Sequence, residues 1–337
     1  MRNKLGIVCL AGLLLGLSFV YVRGNSPKTL PIEANLNNRE VNFFAVGRQG
    51  YKNKPTREIA DSMEAIAAER KNMGFTVLLG DNFYPKGVPS TTDRQWKTKF
   101  EHLYRGPYQL AVPFFVVFGN HDRQGNNAEA QLKYAEDNVG SGRWEIDAPF
   151  YSRDFGEVDG RPLVRIVFLD SVLLYNVDTG EKSKQEETTR EEQLEFIRTS
   201  FLEDEEQPYW QIVASHYPFR SETQHPFSQK RVMRDLLPLL KEAGVDLVIS
   251  SNDRFQQVLD RPGEPLHVST NGGGSKLESI EAVETSSEFI KSQNGFAAVS
   301  VTSDRILVEL YRYDGSLAYS ANRLFQEKAR EETADIR

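Results

Sequence analysis

The chain has a single cysteine, Cys9, so it can form no internal disulfide, no cysteine-rich zinc site and no iron–sulfur cluster. Basic residues are outnumbered, 41 Lys and Arg against 48 Asp and Glu, for a net charge of -7. That is the wrong sign for a surface that gathers nucleic-acid phosphates, and nucleic acid is excluded as an expected partner. No internal repeat and no low-complexity domain is present. With 39% hydrophobic and 26% charged residues, the composition fits neither a disordered tail nor a multi-span membrane protein, and it suffices to bury a core.

One long apolar run exists, Leu5–Val22, preceded by Arg2 and Lys4 and closed by Arg23. It reads as an export signal. Its 18 residues lie between a secretory core and a membrane span, and no clear small-x-small cleavage site follows. Residues 1–24 are therefore either a signal peptide or a signal anchor. Both place the remainder outside the cytoplasm, secreted or membrane-anchored, touching the membrane only through this segment if it is uncleaved.

Residues 25–40 form a polar linker, 41–324 the folded domain and 325–337 a charged tail. Val41–Val46 reads as a buried strand, Thr56–Met73 as a helix stopped by Gly74, and Phe75–Leu79 as a second strand, which together make a βαβ unit. Helical periodicity recurs over Trp96–Tyr104, Arg190–Phe201 and Gln229–Glu242. Strands are expected at Phe114–Phe118, Leu163–Leu169, Trp210–Ala214 and Val245–Ser250. Polar residues collect after the strand ends: Asp81, Asn120, Asp170, His216 and Asn252. From Leu266 the texture changes to short strands with a hairpin turn at Asp314-Gly315, which predicts a second, more antiparallel sheet.

Three loop motifs in order carry a resemblance: Gly80-Asp81-Asn82-Phe83-Tyr84, Gly119-Asn120-His121-Asp122 and Ser215-His216-Tyr217-Pro218. From Val41 to Leu324 the chain resembles a purple acid phosphatase of the small tartrate-resistant type, within the calcineurin-like metallophosphoesterase superfamily. The resemblance implies an α/β four-layer sandwich, two packed mixed β-sheets flanked by helices, with a dinuclear metal centre on strand-end loops. It makes Asp81 the bridging carboxylate, Tyr84 the phenolate of a ferric site, and Asn120, His216 and Asn252 ligand positions of a second, divalent site. His121 matches the imidazole that steadies the phosphate and assists the leaving group. His225, in Glu222-Thr-Gln-His225-Pro, falls where the family has another substrate-facing histidine.

Three positions depart from that pattern. The expected Asp-x-Gly reads Arg48-Gln49-Gly50, and the expected Gly-His-x-His reads Ser251-Asn252-Asp253-Arg254. Arginine keeps its proton and offers no lone pair, so Arg48 and Arg254 mark lost ligand positions. The guanidiniums are expected to take the place of the lost cation and to pair with Asp81. The expected cofactor is none, or at most one weakly held divalent ion (Mn, Mg, Zn or Fe), and the protein is expected to be colourless.

Taken residue by residue, His121 and His216 also read as satisfied polar-core histidines, and Asn252 as a loop-stabilising amide. Asn271-Gly-Gly-Gly274 reads as a tight turn, and Asp170 is given no chemistry. Three functions follow. The preferred one is a pseudophosphatase, inactive or strongly impaired. The others are a residual phosphomonoesterase with a single divalent ion, and a metal-free phosphate or phosphoester receptor built on Arg48, Arg254, His121 and Asn120. The pseudophosphatase would use its scaffold for binding or assembly, and the sequence names no protein partner.

Overall fold

The computed structural model describes residues 39–125, 127–175, 184–203, 207–222, 229–273, 277 and 287–325, all within the unit Ile32–Arg337. The apolar run Leu5–Val22, His225, Gly274 and the tail from Gln326 lie outside the described residues. Among the described residues, no helix is long and apolar enough to cross a membrane.

The chain opens with the expected βαβ unit. Strand β1 (Glu40–Val46) is buried from Val41 onward, helix α1 (Lys54–Arg70) returns across it, and β2 (Phe75–Leu79) pairs parallel to β1 from Phe43↔Phe75 to Val46↔Leu78. Asn53 caps α1 by accepting from Thr56 N at 3.1 Å, and Pro55 sits in its first turn. Ile59, Ala60, Met63 and Ala67 make its buried stripe. The helix ends at Arg70, four residues before Gly74, because Lys71 turns left-handed and its N–H closes on Ala67 O at 2.8 Å.

Helix α2 (Arg94–Trp96) widens into a π-type turn, Lys97–Glu101, and stops short of the expected Tyr104. It is followed by α3 (Pro107–Leu110), β3 (Phe114–Val117), α4 (Asn127–Glu136) and β4 (Trp144–Glu145). Next come β5 (Tyr151–Val158), β6 (Arg161–Phe168), α5 (Ser171–Tyr175), α6 (Lys184–Phe201) and β7 (Trp210–Ala214). The remainder is α7 (Gln229–Glu242), β8 (Leu247–Ser250), β9 (Gln256–Leu259), β10 (Leu266–Ser269), β11 (Phe289–Lys291), β12 (Gly295–Thr302), β13 (Arg305–Arg312) and β14 (Leu317–Leu324).

These strands form two seven-stranded mixed sheets, ordered β14-β13-β12-β1-β2-β3-β4 and β11-β9-β10-β8-β7-β6-β5. The expected separate C-terminal sheet is corrected here. Strands β12 to β14 are an antiparallel meander as their texture suggested, but β12 pairs antiparallel with β1 and so extends the first sheet. The second sheet is built from the middle of the chain.

The sheets pack face to face through aromatic rings. Phe75 of β2 stacks on Phe155 of β5 at 4.2 Å, and the Tyr151 hydroxyl donates to Val116 O across the layers at 2.9 Å. Helices α5 to α7 cover the second sheet, with Ile197, Phe201, Leu236 and Leu240 in one buried cluster with Val167, Val213 and Val248. Phe325, assigned to the tail by its position, instead packs its ring against Tyr209 and Trp210.

Strands β1, β2 and β3 run parallel in one sheet and β6, β7 and β8 in the other. Their carboxyl ends deliver the loops at Arg48, Asp81, Asn120, Asp170, His216 and Asn252, the place where parallel sheets present ligand-binding loops.

Candidate functional site

Three residues that follow strand ends hold left-handed backbone without being glycine: Arg48 (φ 56°), Asp81 (φ 57°) and Asn252 (φ 59°). Such conformations are uncommon for side-chain-bearing residues and gather at functional loops. Here they are secured by backbone bonds, Arg48 N to Gly80 O at 2.9 Å, Gly50 N to Asp81 O at 3.1 Å and Ser251 N to His216 O at 3.0 Å. Two glycines let these loops close up. A side chain at Gly119 would overlap the main chain and carboxylate of Asp81, and one at Gly272 would overlap the Gly47 carbonyl. Gly272 thus serves close backbone approach, which its reading as a turn did not foresee.

Asp81 is the hub, at 1% exposure. Its Oδ2 accepts from the Tyr84 hydroxyl, and its Oδ1 accepts from His121 N at 3.1 Å. The Tyr84 hydroxyl in turn accepts from Arg48 Nε at 3.3 Å, while Arg48 Nη1 donates to Asn252 O at 3.0 Å. The expected Arg48 pairing with Asp81 is therefore made through the phenol and not by direct contact. Burial, reinforced by the Asp81 charge and only partly opposed by Arg48, pushes the Tyr84 phenol far above its ordinary value. It stays protonated and donates. Tyr84 is also sandwiched, its ring 3.8 Å from Tyr51 and 4.2 Å from His121.

On the other side of Asp81, His216 is fully buried, and its backbone N donates to Ser171 Oγ at 3.1 Å. Its Nδ1 lies 2.8 Å from Leu79 O. A carbonyl only accepts, so Nδ1 carries the proton. Burial lowers the imidazole pKa, against the pull of Asp81, which keeps the ring neutral and leaves a lone pair on Nε2. That atom faces Asn120 Oδ1 at 3.3 Å and Asp81 Oδ1 at 3.4 Å.

His121 brings its ring to the partly open face, with Nδ1 donating to Pro85 O at 2.6 Å. Arg254 lies half-buried on the loop after β8, its carbonyl accepting from Asn271 Nδ2 at 3.1 Å. Asp170 is fully buried, pairs with Arg123 and accepts from Leu173 N at 3.3 Å, so it serves as an ion-pair and capping residue.

Asp122, the last residue of the Gly119-Asn120-His121-Asp122 motif, organises the loops. This fully buried carboxylate accepts from Asn82 N at 3.0 Å, Phe83 N at 3.2 Å, Gly119 N at 2.9 Å and Gln131 Nε2 at 3.0 Å. Burial, with Asp81 nearby, pushes its pKa up to about 7 against those donors. It ties the Asp81 loop to the Asn120 loop. The signal in the sequence was a carboxylate directly after Gly-Asn-His. Ser171, which also accepts from Tyr217 N at 2.8 Å, had no such signal.

The dinuclear centre implied by the resemblance meets this donor set unevenly. Where the ferric ion would need a carboxylate ligand, a buried guanidinium donates to the phenol, and a cation there would face a permanent positive charge. Those residues do not fit it. Asp81 Oδ1 and Asn120 Oδ1 lie 3.4 and 3.3 Å from His216 Nε2; all three atoms bear lone pairs and fit one small divalent cation. Among the described residues no group of three or more His, Cys, Asp or Glu could hold a metal ion, in keeping with a set that contains only two of those types.

Two packed mixed sheets with these strand-end loops define a metallophosphoesterase scaffold. The sequence pattern of the calcineurin-like phosphoesterases matches residues 55–251. The chain is 30% identical over 303 residues to tartrate-resistant acid phosphatase type 5 of Homo sapiens, spanning 85% of this chain and 91% of that protein. It is 29% identical over 291 residues to purple acid phosphatase 4 of Arabidopsis thaliana, spanning 82% and 81%. A solved structure described as GAP50, the anchor in the inner membrane complex of Plasmodium, superposes with a TM-score of 0.73 at 22% identity, over 88% of this chain and 94% of that one. The chain belongs to the calcineurin-like phosphoesterase family, with tartrate-resistant and purple acid phosphatases as its relatives.

Proposed function

We propose that this chain is a pseudophosphatase, a purple-acid-phosphatase-like scaffold whose dinuclear centre is dismantled and whose hydrolytic activity is absent or strongly impaired. One observation carries the reading: Arg48, 6% exposed, donates to the Tyr84 hydroxyl where the family supplies a carboxylate ligand. Two-metal catalysis draws on both ions for charge neutralisation and for making the nucleophile. A lone acid–base group such as His121 contributes about 10²- to 10⁴-fold, far less than such a reaction needs. The test is Arg48→Asp, Asn252→His and Arg254→His together, read by metal content and by turnover of an aryl phosphate. Wild type is expected to give no turnover above a heat-inactivated control, and the triple variant to gain metal. Metal-dependent turnover by wild type would sink the proposal.

A second reading is favoured by the three converging lone pairs. Asp81, Asn120 and His216 would hold one divalent ion, which when bound supplies Lewis-acid polarisation of a phosphoryl oxygen and a more acidic bound water. Turnover lost on chelation and in His216→Ala would support it. The metal-free phosphate receptor is weaker, since Arg48 is buried and already donates twice.

A scaffold needs a place to act. We include in the proposal that the domain works outside the cytoplasm, exported or held by Leu5–Val22, with a protein or phosphoester as what it binds. The description of the Plasmodium structure as an anchor is in keeping with this, although the likeness itself is one of fold.

A further inference from the structure

His267 of β10 is 4% exposed, and among the described residues neither of its ring nitrogens finds a hydrogen-bond partner. Buried polar nitrogens are rarely left so. The paired strands place Val248 and Leu259 beside it. The charged groups acting on it come from two other segments: Arg220 from the loop after β7, and Arg261 and Glu264 from the turn between β9 and β10.

That loop is strapped to the second sheet by three consecutive residues. Arg220 Nε donates to Glu264 Oε2 at 2.7 Å and its Nη2 to Oε1. Ser221 Oγ donates to Asp253, and Glu222 accepts from Arg261. The same Glu264 Oε2 that receives Arg220 lies 3.9 Å from His267 Nε2. One carboxylate oxygen thus stands between a guanidinium that holds it and an imidazole that could claim it once charged.

We propose that Arg220, Ser221 and Glu222 form an acid-released latch, and that protonation of His267 opens it by competing for Glu264 and by repelling Arg220 and Arg261. Closed, the latch disfavours the charged ring: burial first, then the two arginines, lower its pKa to about 3. Open, the ring returns toward the ordinary value of about 6.5. Between those limits each pH unit of acidification favours the open state by up to about tenfold. The latched loop starts beside His216, so its release would change access to the strand-end site.

The experiment is hydrogen exchange of the Phe219–Glu222 amides in the purified chain between pH 7.5 and 5.0, corrected for intrinsic rates, with β7 amides as the internal reference. In wild type the opening equilibrium is expected to rise toward about tenfold per pH unit below 6.5 while β7 stays protected. His267→Gln should flatten the profile. If His267→Gln does not fold, Glu264→Gln serves instead, and should raise exchange several-fold already at pH 7.5. A flat wild-type profile, or a variant profile identical to wild type, overturns the latch.

Discussion

The two halves of the strand-end site, joined at Asp81, have opposite characters. On the Arg48 side a chain of hydrogen bonds joins protein groups to one another: guanidinium to phenol, phenol to carboxylate, guanidinium to the Asn252 carbonyl. On the His216 side the Nε2 lone pair faces Asn120 Oδ1 at 3.3 Å and Asp81 Oδ1 at 3.4 Å. On the reading proposed above, the Arg48 guanidinium takes the place of one cation of a two-cation site. The left-handed backbone at Arg48, Asp81 and Asn252 is secured by backbone hydrogen bonds within these loops.

The largest effect should come from the brace common to both halves. Asp122→Ala strands the buried donors of Asn82, Phe83, Gly119 and Gln131, and should cost on the order of 3 to 5 kcal/mol in urea unfolding. A loss under about 1 kcal/mol would show that the loops hold without it. Next, Arg48→Asp places a second carboxylate near Asp81. Without metal it should destabilise by on the order of 1 to 3 kcal/mol, and added divalent or ferric ions should recover the melting temperature. An equal rise in wild type on adding ferric ion would erase the contrast between the halves. Tyr84→Phe removes the relay between Arg48 and Asp81 and should cost about 1 to 2 kcal/mol. At the small end, Lys54→Ala on the exposed face of α1 should change stability by less than about 0.5 kcal/mol.

The pH profile sharpens the comparison further. Asp122 binds its proton more tightly folded than unfolded, so its contribution falls as pH rises from about 4 to about 7. His267 binds its proton less tightly folded, so its contribution is complete above pH 6.5 and is lost toward pH 3, by up to about 1.4 kcal/mol per unit. The two slopes oppose each other. Urea unfolding of His267→Gln from pH 4 to 7 should therefore leave stability declining toward neutral pH, whereas wild type is shallower.

What could be read from the sequence was local. Strand β1, the βαβ unit and the three loop motifs are set by short apolar runs and by the residues that end them. Strands β5 and β9 went unseen for physical reasons. Along β5, an edge strand, Arg153, Asp154 and Glu157 interrupt the apolar residues, and Arg153 and Asp154 pair with Asp147 and Arg165. Strand β9 reads Gln-Gln-Val-Leu, with Gln256 and Gln257 buried on amide hydrogen bonds. Assigning β12 to the first sheet needs its pairing with β1, more than 250 residues away along the chain. The site divides the same way. Asp81, Asn120 and His216 were legible from their motifs, whereas the Arg48–Tyr84 contact and the reach of Asp122 belong to loops that meet only in the folded chain.

The measurement that bears most directly on the dismantled centre is metal content per chain, after expression with iron, zinc and manganese and purification without chelators. The account predicts a colourless protein with no iron and at most one divalent ion, removable by chelation and absent from His216→Ala. Two ions per chain, one of them iron, would contradict it and would mean that Arg48 does not stand where a metal once did.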